Sequence, residues 1–438
     1  MASSFRLPIR AVLIFWMFLL SALAYLDRTN ISIAGPQISR EFGLGNVRLG
    51  WVFSAFLIGY ALAQVPAGWL AVRYGPRWSL TFGVAWWGVF TALTAVVPPG
   101  MRGAMLVLIA VRFCLGAGEA TVYPASNQLV ARWIPLEERG KANGSIFAGV
   151  GAGAGLTPPL LAWIIANYGW RMSFWFSAVV GTLAGVVWFL LARDRPQDHP
   201  LISPGELRHI EEGIAETHSV EAASGNTPPK SPSVPWKAMF RSRTLYALTL
   251  SYFTFGYVAW IFFAWFYIYL AQERNLDLKA SAVYSMFPFL GMTICSPLGG
   301  VANDCISRRF GLRWGRCGVG VASLFTAAIL LWFGPVVSST QLASLILAGG
   351  AGILYFAQSS YWSVTVDIAG SGSGIVSGVM NMGAQVGGAI TASLTPVIAV
   401  HYGWNASFRL SAMLALVGAI AWMMVDPSQR LKTEHIAS

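Results

Sequence analysis

The sequence predicts an all-α integral membrane protein: twelve transmembrane helices in two pseudo-symmetric six-helix bundles. Three observations predict it. Of 438 residues 55% are hydrophobic and only 11% charged, against about 25% charge in an ordinary soluble domain, and the mean hydropathy is +0.59. Twelve mostly apolar runs reach the ~20 residues that a helix needs to cross the hydrocarbon of a bilayer. One long polar stretch interrupts them, and it falls after the sixth run.

The first six runs span 9–33, 49–72, 78–97, 103–131, 139–166 and 171–192. The amino terminus, "MASSFRLPIR", has the charge of a signal-peptide start, but no small-residue cleavage site follows before Asp27. It therefore reads as the lead into an uncleaved first helix. The polar stretch "RDRPQDHPLISPGELRHIEEGIAETHSVEAASGNTPPKSPSVPWK" is rich in Pro, Ser and charge and reads as a linker. A short amphipathic helix is expected within it near Glu206 to Ala215. The last six runs span 244–271, 281–303, 313–334, 342–366, 374–400 and 405–425. The expected organisation is a bundle over 1–195, a linker over 196–240, a second bundle over 241–425 and a tail over 426–438.

Loop charge orients the chain. With the amino terminus inside, the inner side holds about twenty Lys and Arg residues against seven outside, the bias seen when basic loops face the cytoplasm. Both termini and the linker are expected there, in a bacterial inner (plasma) membrane. The net charge of +11 is spread over short loops between apolar runs, so it speaks for loop orientation and against nucleic-acid binding. Cys114, Cys295, Cys305 and Cys317 show no CxxC spacing and lie in or beside apolar runs, as small hydrophobes do.

A duplication shows in "GWLAVRYGPRW" between runs 2 and 3 and "GGVANDCISRRFGLRWGR" between runs 8 and 9. Each places a glycine-marked helix end before a short basic loop, as expected of parallel transporter repeats. Four stretches carry a wider resemblance: "YLDRTNISIAGPQISREFGL", "GWVFSAFLIGYALAQVPAGWLAVRYGPR", "RFCLGAGEATVYPASNQLVARWIPLEERGKANG" and "GGVANDCISRRFG". With them the chain resembles the major facilitator transporters, and among these the anion:cation symporters that carry organic acids, over all but the linker and tails. One position departs from the superfamily loop pattern. Val72 stands where an acidic residue is usual, while the second copy keeps Asp304.

The chemistry centres on ionisable residues inside apolar runs, which cost about 3 kcal/mol each at the bilayer centre on insertion scales and therefore mark function. Asp27 and Arg28 lie in run 1, with Arg28 about 27–30 Å along the helix from Pro8 at ~1.5 Å per residue. That depth favours a partnered, cavity-facing position over snorkelling into headgroups. Run 4 brings Arg112, Glu119, Tyr123 and Asn127 within about a quarter-turn of one another on a helix. A buried structural Arg–Glu pair is the plainer alternative. The four charges cancel, so protonating one carboxyl group leaves one positive charge to attract an anion. A freed guanidinium can then fork onto a carboxylate. The resemblance implies that Asp27 and Glu119 carry coupling protons and that Arg28 and Arg112 serve substrate and ion pairing.

The second half shows no mid-membrane charge of this kind. It offers Gln358, Ser359, Tyr361 and Trp362 in run 10, Asn381 and Gln385 one turn apart in run 11, and Tyr252, Tyr257 and Trp260 in run 7. Tyr25, Tyr60 and Gln64 join them from the first half. These groups suit a hydroxylated or second polar end of a substrate, although ordinary interhelical hydrogen bonding would use the same residues. The resemblance implies substrate contact for Ser359, Trp362 and Asn381. Glycine-rich "GSIFAGVGAGAGLTPP" and "GSGSGIVSGVMNMGAQVGG" allow close approach of helices between halves that rock. The run "GAGAG" lacks the lysine of a phosphate loop.

The expected function is proton symport importing a small organic anion by alternating access, with an organic-anion or drug efflux antiporter as the alternative. A non-transporting sensor would need a sizeable soluble domain. Nothing reads as an enzyme: there is no nucleophile–base pair, metal-ligand cluster or cofactor motif, and all five histidines lie in loops or tails. No cofactor is expected. The expected partners are the bilayer, the anion and protons, with sodium open in their place, and the chain is expected to act as a monomer. The resemblance leaves sugar acids, dicarboxylates, aromatic acids and sulfonates such as sulfoacetate all open as substrates, and the paired arginines with the amides lean the expectation to a small hydroxylated or doubly anionic acid.

Overall fold

A computed structural model describes residues 7–44, 46–223, 236–266, 269–270, 273–276 and 278–431. The expected starting segment before Leu7, the middle of the linker and the end of the tail lie outside the described residues. The rest is helical: α1 (Ile9–Phe42), α2 (Asn46–Val96), α3 (Ala104–Glu119), α4 (Val122–Trp133), α5 (Arg139–Tyr168), α6 (Trp170–Leu191), α7 (Pro204–Ala223), α8 (Trp236–Arg241), α9 (Arg243–Ala264), α10 (Leu278–Phe310), α11 (Val319–Phe333), α12 (Thr340–Phe356), α13 (Gln358–Ala369), α14 (Ser373–Tyr402) and α15 (Trp404–Met423).

Eleven stretches among the described residues are long and apolar enough to span a bilayer, and the longest, Gly50–Val96, has 47 residues. At 1.5 Å per residue such a helix would be about 70 Å long, twice what a bilayer takes. It turns at Gly75, whose φ of 85° and ψ of 161° are not helical; this left-handed position suits glycine. Pro76 then opens the next helix, and Asp194 accepts from the Arg77 amide at 3.0 Å. The runs expected at 49–72 and 78–97 are thus two crossings, and twelve crossings result. The linker helix α7 is longer than expected and docks on the amino terminus: Glu206 accepts from the backbone amides of Ile9 (3.0 Å) and Arg10 (2.9 Å).

Two expected helices are broken. Run 4 divides at Ala120–Thr121, between α3 and α4. The cause is in the sequence: the carbonyl of Ala120 would accept from residue 124, which is proline and has no N–H. A freed carbonyl inside a membrane must find another donor, and Gln64 Nε2 supplies it at 3.3 Å. Run 10 divides at Ala357, between α12 and α13, with no proline to mark it. Both breaks fall near the middle of their apolar spans, Ala104–Trp133 and Thr340–Ala369, in corresponding crossings of the two repeats.

The outside of the bundle is apolar, as lipid requires: Trp78, Phe82, Leu106, Leu183, Phe325 and Leu345 are all exposed. Inside, glycines let the first and last six crossings meet closely. A Cβ on Gly144 would collide with the Ser296 and Pro297 backbone, and one on Gly378 with that of Gln64. These contacts join α5 to α10 and α2 to α14, as the glycine spacing predicts.

The polar contacts between the two sets of crossings cluster toward the basic face, where both described chain ends also lie. There Asp304 accepts from the Gly140 (3.1 Å) and Lys141 (2.7 Å) amides at the start of α5. Arg316 pairs with Asp304 at 3.0 Å and with Asp367 at 3.0 Å, and Arg139 reaches Asp367 at 3.4 Å. Asn127–Thr365 (2.8 Å) and Asn143–Ser363 (3.3 Å) complete the seal. At the matching corner of the other repeat, the start of α14, Val72 offers no acceptor. Gln128 takes its place: its Oε1 accepts from Ser373 Oγ (3.2 Å) and the Gly374 amide (3.3 Å). Loss of a side-chain acceptor at a helix start costs about 0.5–2 kcal/mol. Gln128→Ala will therefore lower thermal stability in detergent by about that much. Val72→Asp in the same chain will restore it, because Val72 Cγ2 already lies near Gly374; an unaltered melting curve in both would refute this.

Candidate functional site

All four ionisable residues expected at the centre are there and buried: Asp27, Arg28, Arg112 and Glu119 are 3%, 7%, 1% and 0% exposed. They come from α1 and α3. Arg28 Nε donates to Glu119 Oε2 at 2.8 Å. Asp27, adjacent in sequence, projects from another side of α1. Its Oδ2 accepts from Thr91 Oγ1 at 3.4 Å, and Arg112 lies within electrostatic reach of both Asp27 and Glu119.

The pairing is incomplete. Arg28 Nη2, Arg112 Nε and Nη1, Asp27 Oδ1 and Glu119 Oε1 are buried without a hydrogen-bond partner. Such atoms are costly in a folded interior, and five of them in one cluster make this the candidate binding site. Rings hold the Arg28 guanidinium: Tyr60 at 4.4 Å, Tyr25 at 4.5 Å, Phe56 at 5.6 Å and Tyr123 at 6.0 Å from its carbon. Cation–π contact of this kind stabilises a charge that has little water, while Nε stays on Glu119 and Nη2 has no partner.

Beside this cluster lies a small enclosed cavity of about 30 Å³ between the two sets of crossings. Tyr25, Tyr123, Tyr252, Gln358, Asn381 and Gln385 line it from the expected set. Gln64 bridges the halves, accepting from Asn381 Nδ2 at 3.0 Å while it serves the Ala120 carbonyl. Tyr252 Oη takes N–H bonds from Gln358 (2.7 Å) and Trp362 (3.0 Å). The Trp362 ring packs on Phe147 and Tyr123, with centroids 4.9 and 5.6 Å apart. Tyr60 and Ser359 are buried with unpartnered hydroxyls.

Some expectations need correction. Arg112, Glu119, Tyr123 and Asn127 do not share one continuous helix, because Pro124 breaks it, and Asn127 belongs to the basic-face seal. Tyr257 packs against α14, where its backbone carbonyl accepts from Thr391, and lies outside the cavity lining that holds Tyr252 and Trp260. Tyr361 bonds Ser251 at 2.7 Å and is likewise a packing residue. The aromatic wall of Phe147, Phe255, Phe263 and Tyr355 was not expected; each reads as an ordinary apolar residue in its run. Asp367, the acid in "SVTVDIAG", was also missed; its contacts with Arg139 and Arg316 are tertiary.

The fold and the sequence both have known counterparts. A solved structure of the proton:xylose symporter XylE, bound to 6-bromo-6-deoxy-D-glucose, superposes with a TM-score of 0.75 at 14% identity, covering 97% of this chain and 98% of that one. A probable sulfoacetate transporter, SauU of Cupriavidus necator, is 32% identical over 96% of this chain and 95% of its own. The hexuronate transporter of Bacillus subtilis is 28% identical over 96% and 94%. The probable galactarate/D-glucarate transporter GarP of Escherichia coli is 29% identical over 94% and 92%. These are multi-pass membrane transporters and not enzymes. The model of the Major Facilitator Superfamily matches residues 17–392. On that match and on this twelve-crossing fold the chain belongs to the Major Facilitator Superfamily, in keeping with its resemblance to the anion:cation symporters.

Proposed function

We propose that this transporter imports a small organic anion together with protons, across a bacterial plasma membrane, with both termini in the cytoplasm. The observation that carries the reading is the Arg28–Glu119 ion pair, 2.8 Å long and buried, beside unpartnered N–H groups of Arg28 and Arg112. While Glu119 is ionised it occupies Arg28. Once a proton neutralises it, the guanidinium is left with free edges and a net positive charge, and a substrate carboxylate or sulfonate can take the fork. Asp27 lies within electrostatic reach of Arg112 without a hydrogen bond to it, so a proton on Asp27 adds to the same positive charge. Substrate and proton thus bind with mutual support, which is the thermodynamic content of coupling.

The relatives named for sulfoacetate, hexuronate and galactarate/D-glucarate transport support the anion class. The bundles 1–195 and 241–425 would move as two bodies about this site. On this reading the basic-face seal closes the cytoplasmic side of that cycle, and the apolar groove of about 530 Å³ between α2 and α14 supports parting along that edge.

Uptake of labelled organic anions into proteoliposomes tests this. An inward proton gradient will drive accumulation, and a protonophore will abolish it. Asp27→Asn will reduce gradient-driven accumulation at least tenfold while anion exchange across the same membrane persists. Accumulation that follows a sodium gradient instead would replace the coupling ion. Anion uptake indifferent to both gradients would refute symport, and gradient-driven expulsion of the anion would reverse the assigned direction.

A further inference from the structure

The charges at the centre of this protein are distributed on one side only. Asp27, Arg28, Arg112 and Glu119 all belong to the first six crossings. Among the described residues of the last six, the buried charges are Asp304, Arg316 and Asp367, and all three are engaged in the basic-face seal. The wall that the last six crossings give to the cavity consists of Tyr252, Phe255, Trp260, Phe263 and Tyr355 with the neutral amides of Gln358, Asn381 and Gln385. Asn381 is bonded to Gln64, and Gln358 and Gln385 each keep a buried amide oxygen without a partner.

Resting on the anion-transport reading, we propose that the site selects anions whose charge is confined to one end, with a neutral hydroxylated or flat far end, and rejects extended α,ω-dianions. The charged head is matched by Arg28, with Arg112 behind it. In an open state, where the cavity of about 30 Å³ widens, a substrate that reaches from Arg28 to the facing wall places its far end on rings and amides. A hydroxyl there finds an amide partner, and a ring finds aromatic faces. A second carboxylate finds no cation, and burying a charge without a counter-charge is among the least favourable contacts a site can make. Sites that leave a buried group unpaired discriminate strongly. A short dianion with both charges within reach of the two arginines is not penalised in this way. The relatives do not decide the matter, since one is named for hexuronate and another for galactarate/D-glucarate.

Matched pairs test it, each differing by one terminal group: gluconate against glucarate, and 4-hydroxybenzoate against terephthalate, with sulfoacetate as the short dianion. Uptake and competition are measured in proteoliposomes under an inward proton gradient. The expected result is transport of at least one one-ended anion, with its extended dianion at least a hundredfold weaker as substrate and competitor. Gln385→Lys, which places a cation on the neutral wall, will raise relative acceptance of the dianion at least tenfold. Glucarate or terephthalate carried as well as its partner would overturn this inference and leave anion symport standing. Failure of all five anions to be carried or to compete would overturn the anion-transport reading and this inference with it.

Discussion

Arg28→Ala will eliminate substrate binding. The side chain is sandwiched by Tyr25 and Tyr60, paired with Glu119, and keeps one N–H edge unpartnered. Removing one member of a buried, hydrogen-bonded charge pair costs about 2–5 kcal/mol, a factor of roughly 30 to several thousand in affinity at 1.36 kcal/mol per decade. The loss has two parts: the anion loses its fork, and Glu119 loses the cation that favours its ionised form. Arg28→Lys separates them, because it keeps a charge near Glu119 and gives up planar two-point contact. The lysine variant will keep the fold and bind the anion at least tenfold more weakly. Equilibrium binding in detergent checks both; normal affinity in Arg28→Ala would remove the anion-docking role.

Arg316→Met will open the basic face. Arg316 is 1% exposed and holds Asp304, Asp367 and Asn303 together at 2.8–3.0 Å. The substitution roughly preserves volume and leaves two buried carboxylates with less positive charge, with Arg139 still 3.4 Å from Asp367. Breaking a buried pair in this way costs about 3–5 kcal/mol, and the cost falls on the closed state, since parting the halves lets water reach the acids. Accessibility reads the shift directly. Ser363→Cys, now buried at the seal, will react with a membrane-impermeant maleimide from the basic side at least tenfold faster when Arg316→Met is present. An equal rate in both backgrounds would show that the network does not control closure.

The twelve crossings were legible because a bilayer imposes a length and a polarity that few sequences meet by accident. Asp27, Arg28, Arg112 and Glu119 were legible for the same reason: a charge in an apolar run needs a purpose. The break in run 4 could have been read from Pro124 and its lost donor, whereas the break at Ala357 has no such mark. The aromatic wall was not legible, because Phe255 or Phe263 facing a cavity has the same local pattern as a phenylalanine facing lipid. Asp367 sits in the last turn of a helix that ends at Ala369, where an acid is ordinarily solvated, and its burial comes from packing against Arg139 and Arg316. The pairing of Arg28 with Glu119 depends on how α1 meets α3, which spacing along one chain does not contain.

The two corners of the basic-face seal are fastened by different chemistry. On the α5–α10 edge the acids Asp304 and Asp367 of the last six crossings hold the Gly140 and Lys141 amides and the Arg139 guanidinium of the first six; at the start of α14 the fastening is by the neutral amides of Gln128 and Asn127. A neutral hydrogen bond contributes about 1 kcal/mol net, well below the cost of separating buried charges. The seal therefore behaves like a flap with a weak hem and a strong hinge. The difference predicts parting first along α2 and α14 while the ionic edge still holds, through a lateral slit on the basic face and not a symmetric mouth.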